Sequence, residues 1–127
     1  MPVTYRIDPE HKRILTRCAG NTTLAEVLAH FDELELDANC PPGADVLLDL
    51  TGMTNLPNVG QIRTAADRAA DAARRVRFGS IAIVVHSDAL FGMARVFEAF
   101  TDRYFARTSV FRSREAAEAW LDKPAAN

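Results

Sequence analysis

Residues 45–50, DVLLDL, and residues 80–85, SIAIVV, decide the fold of this chain. In both stretches apolar side chains point to the two opposite sides of an extended strand. Strands that are apolar on both faces lie inside a sheet, usually a parallel one that is covered by helices. The two stretches therefore predict inner strands of an α/β fold.

A helix is predicted between these two strands, because apolar residues recur there every three or four positions. Most of them are alanines, whose small side chains let a helix lie close to the sheet. Charged residues spaced four apart form the outer face, where each pair of opposite charge contributes about 0.3 kcal/mol. The apolar residues are Val59, Ile62, Ala66, Ala69, Ala73 and Val76, and the charged ones are Arg63, Asp67, Asp71 and Arg75.

The N-terminal part predicts an antiparallel hairpin followed by a helix. Residues 3–8 alternate apolar and polar side chains, turn-forming residues follow, and residues 13–19 give a second strand. Thr23 and Glu26 form a capping box, which indicates that a helix begins there. The expected core face of this helix consists of Leu24, Val27, Leu28, Phe31 and Leu34.

The C-terminal part predicts a helix, a strand and a last short helix. Asp88 is expected to cap the first of these, which runs to about Phe105. Residues 108–112 follow as a strand, and Ser113 is expected to cap the last helix. The stripe of the first helix is Leu90, Met93, Phe97, Phe100 and Tyr104, and the last helix is expected to bury Ala116, Ala117, Trp120 and Leu121.

The order of these elements predicts a mixed five-stranded sheet, mainly parallel after the N-terminal hairpin, with four flanking helices. Residues 1–122 are expected to form a single domain, and residues 123–127 a flexible tail.

Composition argues against several functional classes. The net charge is −2 and the basic residues form no stripe, so no nucleic-acid partner is expected. The nearest basic group, Arg74, Arg75 and Arg77, suits the end of a helix dipole.

No apolar run reaches the roughly 20 residues that a membrane span needs, and no signal-like start is present, so a cytoplasmic protein is expected. Cys18 and Cys40 are too few for a disulfide framework and are expected to be reduced.

The candidate site is predicted at the carboxyl ends of the inner strands, where loops and helix N-termini expose backbone donors. Two segments lie there, residues 51–59 after the third strand and residues 86–92 after the fourth. The residues expected to contact a ligand or partner are Thr51, Asn55, Asn58, His86, Ser87, Phe91 and Arg95.

Residues 91–95 have two interpretations. They line an apolar pocket with Arg95 at its rim, or they pack in the core. The broad aromatic stripe that continues to Tyr104 also suits a homodimer interface or a lipid-like ligand.

The sequence carries no catalytic, metal or cofactor signature. Asp49 ends an apolar strand as in some phosphoryl-transfer enzymes, but Thr51 stands where a second carboxylate would help to hold magnesium. The alternative is that Asp49 accepts hydrogen bonds from nearby backbone amides. His86 and Ser87 are neighbours on an extended strand, so they point to opposite faces. The three histidines lack metal-ligand spacing and are expected at the surface or half-buried.

Residues 46–69, VLLDLTGMTNLPNVGQIRTAADRA, resemble the central motif of STAS domains, in which an apolar strand ends in Asp-Leu-Ser/Thr-Gly and a helix opens near a glycine. Together with the hairpin and residues 86–100, HSDALFGMARVFEAF, the chain is similar to SpoIIAA-like, STAS/SEC14-type bacterial proteins over residues 3–122. The matching residues are Asp49, Leu50, Thr51, Gly52, Thr54 and Gly60.

The resemblance implies this fold and a role in protein–protein regulation or in holding a small apolar molecule. STAS antagonists of anti-sigma factors carry a phosphorylatable serine just before the helix glycine, where this chain has Asn58 and Val59. Neither residue can accept phosphate, so we expect that no phosphoserine switch operates. Thr51, Thr54 or Thr64 would have to substitute for that serine.

Three hypotheses follow. The first is a non-catalytic module whose loops after the third and fourth strands, with the start of the third helix, contact a protein or a small ligand. The second is a carrier of a lipid or other apolar ligand that uses Phe91, Met93, Phe97 and Phe100. The third is a phosphoryl-transfer enzyme with magnesium at Asp49. An apolar cavity beside the third helix would favour the carrier, and a flat surface there would favour a protein partner.

Overall fold

Five strands pair in chain order to form one mixed sheet in the computed structural model, which describes residues 2–123. β1 (Val3–Asp8) and β2 (Arg13–Gly20) form the antiparallel hairpin. β3 (Asp45–Met53), β4 (Ile81–Val84) and β5 (Thr108–Phe111) extend the sheet in parallel. The predicted mixed sheet is therefore confirmed.

Four helices flank the sheet, as predicted: α1 (Leu24–Leu36), α2 (Val59–Val76), α3 (Asp88–Thr101) and α4 (Arg114–Asp122). The core between the sheet and the first three helices includes Ile14, Val46, Ile81, Ile83, Leu34, Ala69, Leu90 and Ala94. The second core, under α4, consists of Leu47, Ala82, Val84, Ala117 and Leu121. Alternate residues of β3 and β4 thus enter opposite cores, as their two-sided apolar pattern requires.

Side-chain caps fix where the helices begin. Thr23 forms the predicted capping box with Glu26, and Ser113 caps α4 as predicted. For α3 the cap is Ser87, whose Oγ accepts a hydrogen bond from the amide of Leu90 at 3.1 Å. The expectation that Asp88 is the cap is therefore wrong by one residue.

β3 runs three residues further than predicted. A register shift in β2 between Arg17 and Ala19 lets the end of that strand pair with Gly52 and Met53. Thr51 consequently belongs to the strand and not to the loop after it. The boundary depends on the partner strand, which the pattern of β3 alone does not describe.

α3 ends at Thr101, earlier than the predicted Phe105. A short 3₁₀ turn, Asp102–Tyr104, follows and turns the chain so that Phe105 stacks on Phe78, with ring centroids 5.9 Å apart. Phe105 therefore packs in the core, although it lies outside the helix. Three smaller packing expectations are also wrong, because Val59, Tyr104 and Ala116 are exposed.

Of the predicted tail, Lys123 is described, and its carbonyl accepts a hydrogen bond from Arg107 at 2.9 Å. The rest of that tail, residues 124–127, lies outside the described residues. Among the helices of residues 2–123, none is both long and apolar enough to cross a bilayer.

Gly79 provides a test of the connection into β4. A Cβ at this position would lie 2.8 Å from the carbonyl oxygen of Gly43 and would meet the Asp45 carboxylate. We expect Gly79→Ala to lower the free energy of unfolding by about 2 kcal/mol, because backbone has to move. Gly92→Ala is the control, since a Cβ there meets nothing within 4 Å inside α3. The control should be more stable than wild type by about 0.5–1 kcal/mol. Urea denaturation measures both, and a Gly79→Ala protein as stable as wild type would contradict the expectation.

Candidate functional site

An apolar cavity of about 150 Å³ lies between the sheet and helices α1, α2 and α3. Its walls combine aliphatic and aromatic side chains from the sheet and from all three helices. Two alanines, Ala65 and Ala94, line its helical side and leave space where larger residues would fill it. The sheet contributes Val46, Leu48, Leu50, Ile81 and Ile83, and the helices contribute Leu24, Val27, Phe31, Leu90, Met93 and Phe97.

Thr16 and His30 place a polar pair in this apolar wall. Thr16 is 2% exposed and His30 is 9% exposed, and Thr16 Oγ1 lies 3.2 Å from His30 Nε2. Burial lowers the pKa of His30 to about 4, so the ring is neutral at neutral pH. The expectation that the histidines are at most half-buried is wrong for His30, because Tyr5 and Phe31 pack against its ring.

Cys18 also lines the cavity and is buried. Burial, with a smaller contribution from the negative charge of Asp49, raises the pKa of its thiol to about 11. The thiol is therefore protonated and contributes as a small apolar group. Cys18 and Cys40 form no disulfide within residues 2–123.

The rim of the cavity lies where β2 and β3 end, next to the exposed residues Thr23 and Gln61. Asn55 holds this rim together. Its Oδ1 accepts a hydrogen bond from the amide of Thr22, and its Nδ2 donates to the carbonyl of the same residue, both at 2.8 Å. Leu56, beside Asn55 in the same loop, is 54% exposed.

Of the residues predicted to contact a ligand, Asn55 lines the cavity. Thr51 faces the other side of the sheet, where its hydroxyl donates to Asp49 Oδ1 at 2.6 Å. Asn58 caps α2 in a capping box with Gln61, so its side chain is already hydrogen-bonded.

The predicted residues after β4 form a separate surface at the carboxyl end of that strand. His86 is exposed, and its carbonyl accepts a hydrogen bond from Arg112. The Arg112 guanidinium also lies over the ring of Phe91, 4.5 Å from its centroid. Arg95 is exposed and pairs with Glu98. The cavity wall includes neither Phe91 nor Arg95; Met93 and Phe97 of the same helix line it instead.

Sequence reasoning missed Thr16 and His30, although both carried a signal. Thr16 lies two residues from Ile14 and two from Cys18 on β2, so it shares their buried face. His30 follows Val27 by three positions on α1, and Leu34 follows His30 by four, which places His30 on the apolar stripe.

Asp49 lies on the opposite face of the sheet, in an open groove of about 290 Å³ lined by polar and apolar residues. Its Oδ1 accepts hydrogen bonds from both the amide and the hydroxyl of Thr51. The expectation that a nearby backbone amide donates to Asp49 is therefore confirmed. Within residues 2–123, the one group of three side chains close enough to share a metal ion is Asp8, Glu10 and His11, in the turn between β1 and β2. Asp49 is not part of it.

A solved structure shares this architecture. It is the crystal structure of an uncharacterised protein of the DUF3478 family with a SpoIIAA-like fold, from Shewanella loihica PV-4. The TM-score is 0.60 at 19% sequence identity, over 94% of this chain and 91% of that one. No family model matches the sequence, and the search of curated proteins found no match. The similarity shows that the chain has a SpoIIAA-like fold, as predicted.

Asn55 gives a test of the rim. Asn55→Asp replaces the Nδ2 donor with an oxygen that faces the carbonyl of Thr22. We expect the free energy of unfolding to fall by about 1–3 kcal/mol, because a partly buried hydrogen bond is lost and two oxygens oppose each other. Asn21→Asp makes the same charge change at an exposed position nearby and should alter stability by less than about 0.5 kcal/mol. Equal effects of the two variants in urea denaturation would argue against the role of Asn55.

His30 gives a pH dependence with a definite sign. Its folded-state pKa of about 4 lies below its ordinary value of 6.5, so the unfolded chain binds the proton more readily. Stability contributed by neutral His30 is complete above pH 6.5 and is lost as the pH falls toward 4, by up to about 3 kcal/mol. Carboxylates with lowered pKa, such as Glu35, lose their contribution only below 4.5.

We therefore expect urea unfolding of the wild type to show stability falling between pH 6.5 and 5. His30→Gln should flatten this part of the profile, whereas His86→Gln, at an exposed histidine, should keep it. An unchanged slope in His30→Gln would rule out His30 as the cause.

Proposed function

From the SpoIIAA-like fold and the cavity inside it, we propose that this protein is a non-catalytic binding module that holds a small apolar ligand between its sheet and helices α1–α3. The observation that carries the proposal is the cavity of about 150 Å³, whose wall is almost entirely apolar. Engineered apolar cavities of about this volume bind ligands the size of benzene. The ligand, or the part of it that enters, is therefore about one ring or a short branched chain in size.

The energetics of packing support this proposal. Apolar side chains that border an unfilled space lose packing contacts that a filled core would give them, which lowers stability. An apolar ligand that fills the space restores these contacts, so binding and folding favour the same state.

The rim supports a route into the cavity. Leu56 and Val59 are 54% and 52% exposed, and they flank Pro57, which lines the cavity. Exposed apolar side chains beside an apolar opening suit a ligand that is itself apolar and has room to extend outward. Of the residues assigned to an apolar carrier from the sequence, Met93 and Phe97 support this use because they line the wall.

A protein partner is the second candidate. The same exposed Leu56 and Val59, on either side of Asn58, form a small apolar surface in the loop where the sequence predicted partner contacts. Native mass spectrometry of the purified protein separates the candidates. An added mass of a small molecule favours the carrier, and a stoichiometric second protein or a second copy of this chain favours the interaction module.

The third hypothesis, an enzyme with magnesium at Asp49, receives less support. The Asp49 carboxylate is engaged by Thr51, and position 51 supplies no second carboxylate. Titration with magnesium should leave the amide resonance of Thr51 unchanged, and a saturable shift there would favour the enzyme.

Filling the cavity tests the proposed function. Ala94→Leu projects a larger side chain from α3 into the cavity, so we expect toluene to bind at least about tenfold more weakly than to wild type. Ala99→Leu makes the same change on the exposed side of the same helix and should leave binding unchanged. Titration followed by NMR of the side chains of Leu50, Ile83 and Met93 measures the affinity. If wild type shows no saturable shifts at these residues, the apolar ligand site is refuted.

A further inference from the structure

We propose that the ligand of this cavity carries one uncharged hydrogen-bond acceptor, such as the oxygen of a ketone, ester or ether, which Thr16 and His30 bind. This inference rests on the proposed function and names the chemical class of its ligand. It follows from the hydrogen-bonding capacity of two buried side chains and from the absence of charge in the wall.

Thr16 and neutral His30 together carry two polar hydrogens, one on the hydroxyl and one on the ring. The single hydrogen bond between Thr16 Oγ1 and His30 Nε2 uses one of them, whichever group is the donor. Within residues 2–123 neither side chain makes another hydrogen bond. The pair therefore keeps one spare hydrogen for either ring tautomer, on Thr16 Oγ1 or on His30 Nδ1, and both side chains line the apolar space.

The other polar side chains of the wall have their own partners. Asn55 is bonded to the backbone of Thr22 through both ends of its amide. The hydroxyl of Thr23 donates to Glu26, and Gln61 accepts from the amide of Asn58. Gln61 is exposed, so water can accept its remaining amide hydrogens, whereas the spare donor of the Thr16–His30 pair belongs to two buried side chains.

The wall contains no charged residue among those described. A carboxylate or phosphate placed there would lose its hydration without gaining a counter-ion, which is unfavourable by several kcal/mol. His30 does not supply a positive charge at neutral pH, because burial keeps its pKa near 4. A neutral acceptor oxygen on an apolar body fits these constraints, whereas a fatty acid carboxylate does not.

The test compares two ligands of nearly the same shape, cyclohexanone and methylenecyclohexane, which differ in having an oxygen or a CH₂ group. The double variant Thr16→Val, His30→Leu removes both members of the pair, and replacing both partners by apolar groups is well tolerated. Each single variant would leave one donor in place. We expect the double variant to bind cyclohexanone about tenfold more weakly, relative to methylenecyclohexane, than wild type does.

Thr108→Val is the control, because Thr108 is also buried but does not line the cavity. It should leave the ratio of the two affinities unchanged. The same ratio in wild type and in a folded double variant would overturn the inference alone. If neither ligand binds wild type, the proposed function fails and the inference fails with it.

A second measurement uses only the wild type and does not depend on how the double variant folds. The infrared carbonyl stretch of bound cyclohexanone should lie at lower frequency than in an alkane solvent, because the oxygen accepts a hydrogen bond. A bound ketone with its carbonyl band at the alkane position would overturn the inference.

Discussion

Because β3 and β4 are apolar on both faces, the chain has to cover both sides of one sheet with helices. Leu47 and Val84 are buried under α4, while Val46 and Ile83 are buried under the other three helices. The coverage is uneven, since α4 has nine residues and contacts mainly β3, β4 and β5. This uneven coverage gives the two faces different properties. One holds an apolar cavity with an opening at its rim, and the other has an open groove beside β1 and β2.

The cavity lies between the sheet and α2, a helix that packs mainly on α1 and α3. Alanines let α2 lie close to its neighbours, and Arg68 ties it to α1 through Asp32 and Glu35, at 2.8 and 2.6 Å. Ala65 and Ala94 line the cavity, and their small side chains leave its helical side unfilled. The same choice of small residues therefore produces both close helix packing and a void.

The polar groups follow a similar division. Asp49 and Thr51 satisfy each other on the face away from the cavity, and Asn55 is used to join two loops. The Thr16–His30 pair differs, because it is buried in an apolar wall and retains hydrogen-bonding capacity. This contrast is why the cavity, and not the carboxylate at the end of the apolar strand, is the centre of the proposed function.

Local signals in the sequence were sufficient for the hairpin, for the caps at Thr23 and Ser113 and for the four helices, since each depends on neighbouring residues. They were insufficient where a contact with residues far away in the chain decides at which residue a strand or helix ends. β3 continues to Met53 because β2 pairs with it, and α3 ends early because Phe105 packs on Phe78. Of the seven predicted contact residues, all within residues 2–123, Asn55 alone lines the cavity. The rule used for the prediction locates the carboxyl ends of the strands, whereas the cavity lies between the sheet and the helices.

The sequence by itself determined a mixed five-stranded sheet with four helices, because hydrophobic periodicity and capping act over a few residues and leave few ways to cover a two-sided sheet. The SpoIIAA-like character of this fold followed from the resemblance of residues 46–69 and 86–100 to that family. Only the tertiary structure decided where a cavity remains and that Thr16 and His30 meet in its wall. Thr16 is on a strand and His30 is on a helix, fourteen positions further along the chain. Their contact depends on how closely that helix packs on the sheet, and no local pattern encodes that distance.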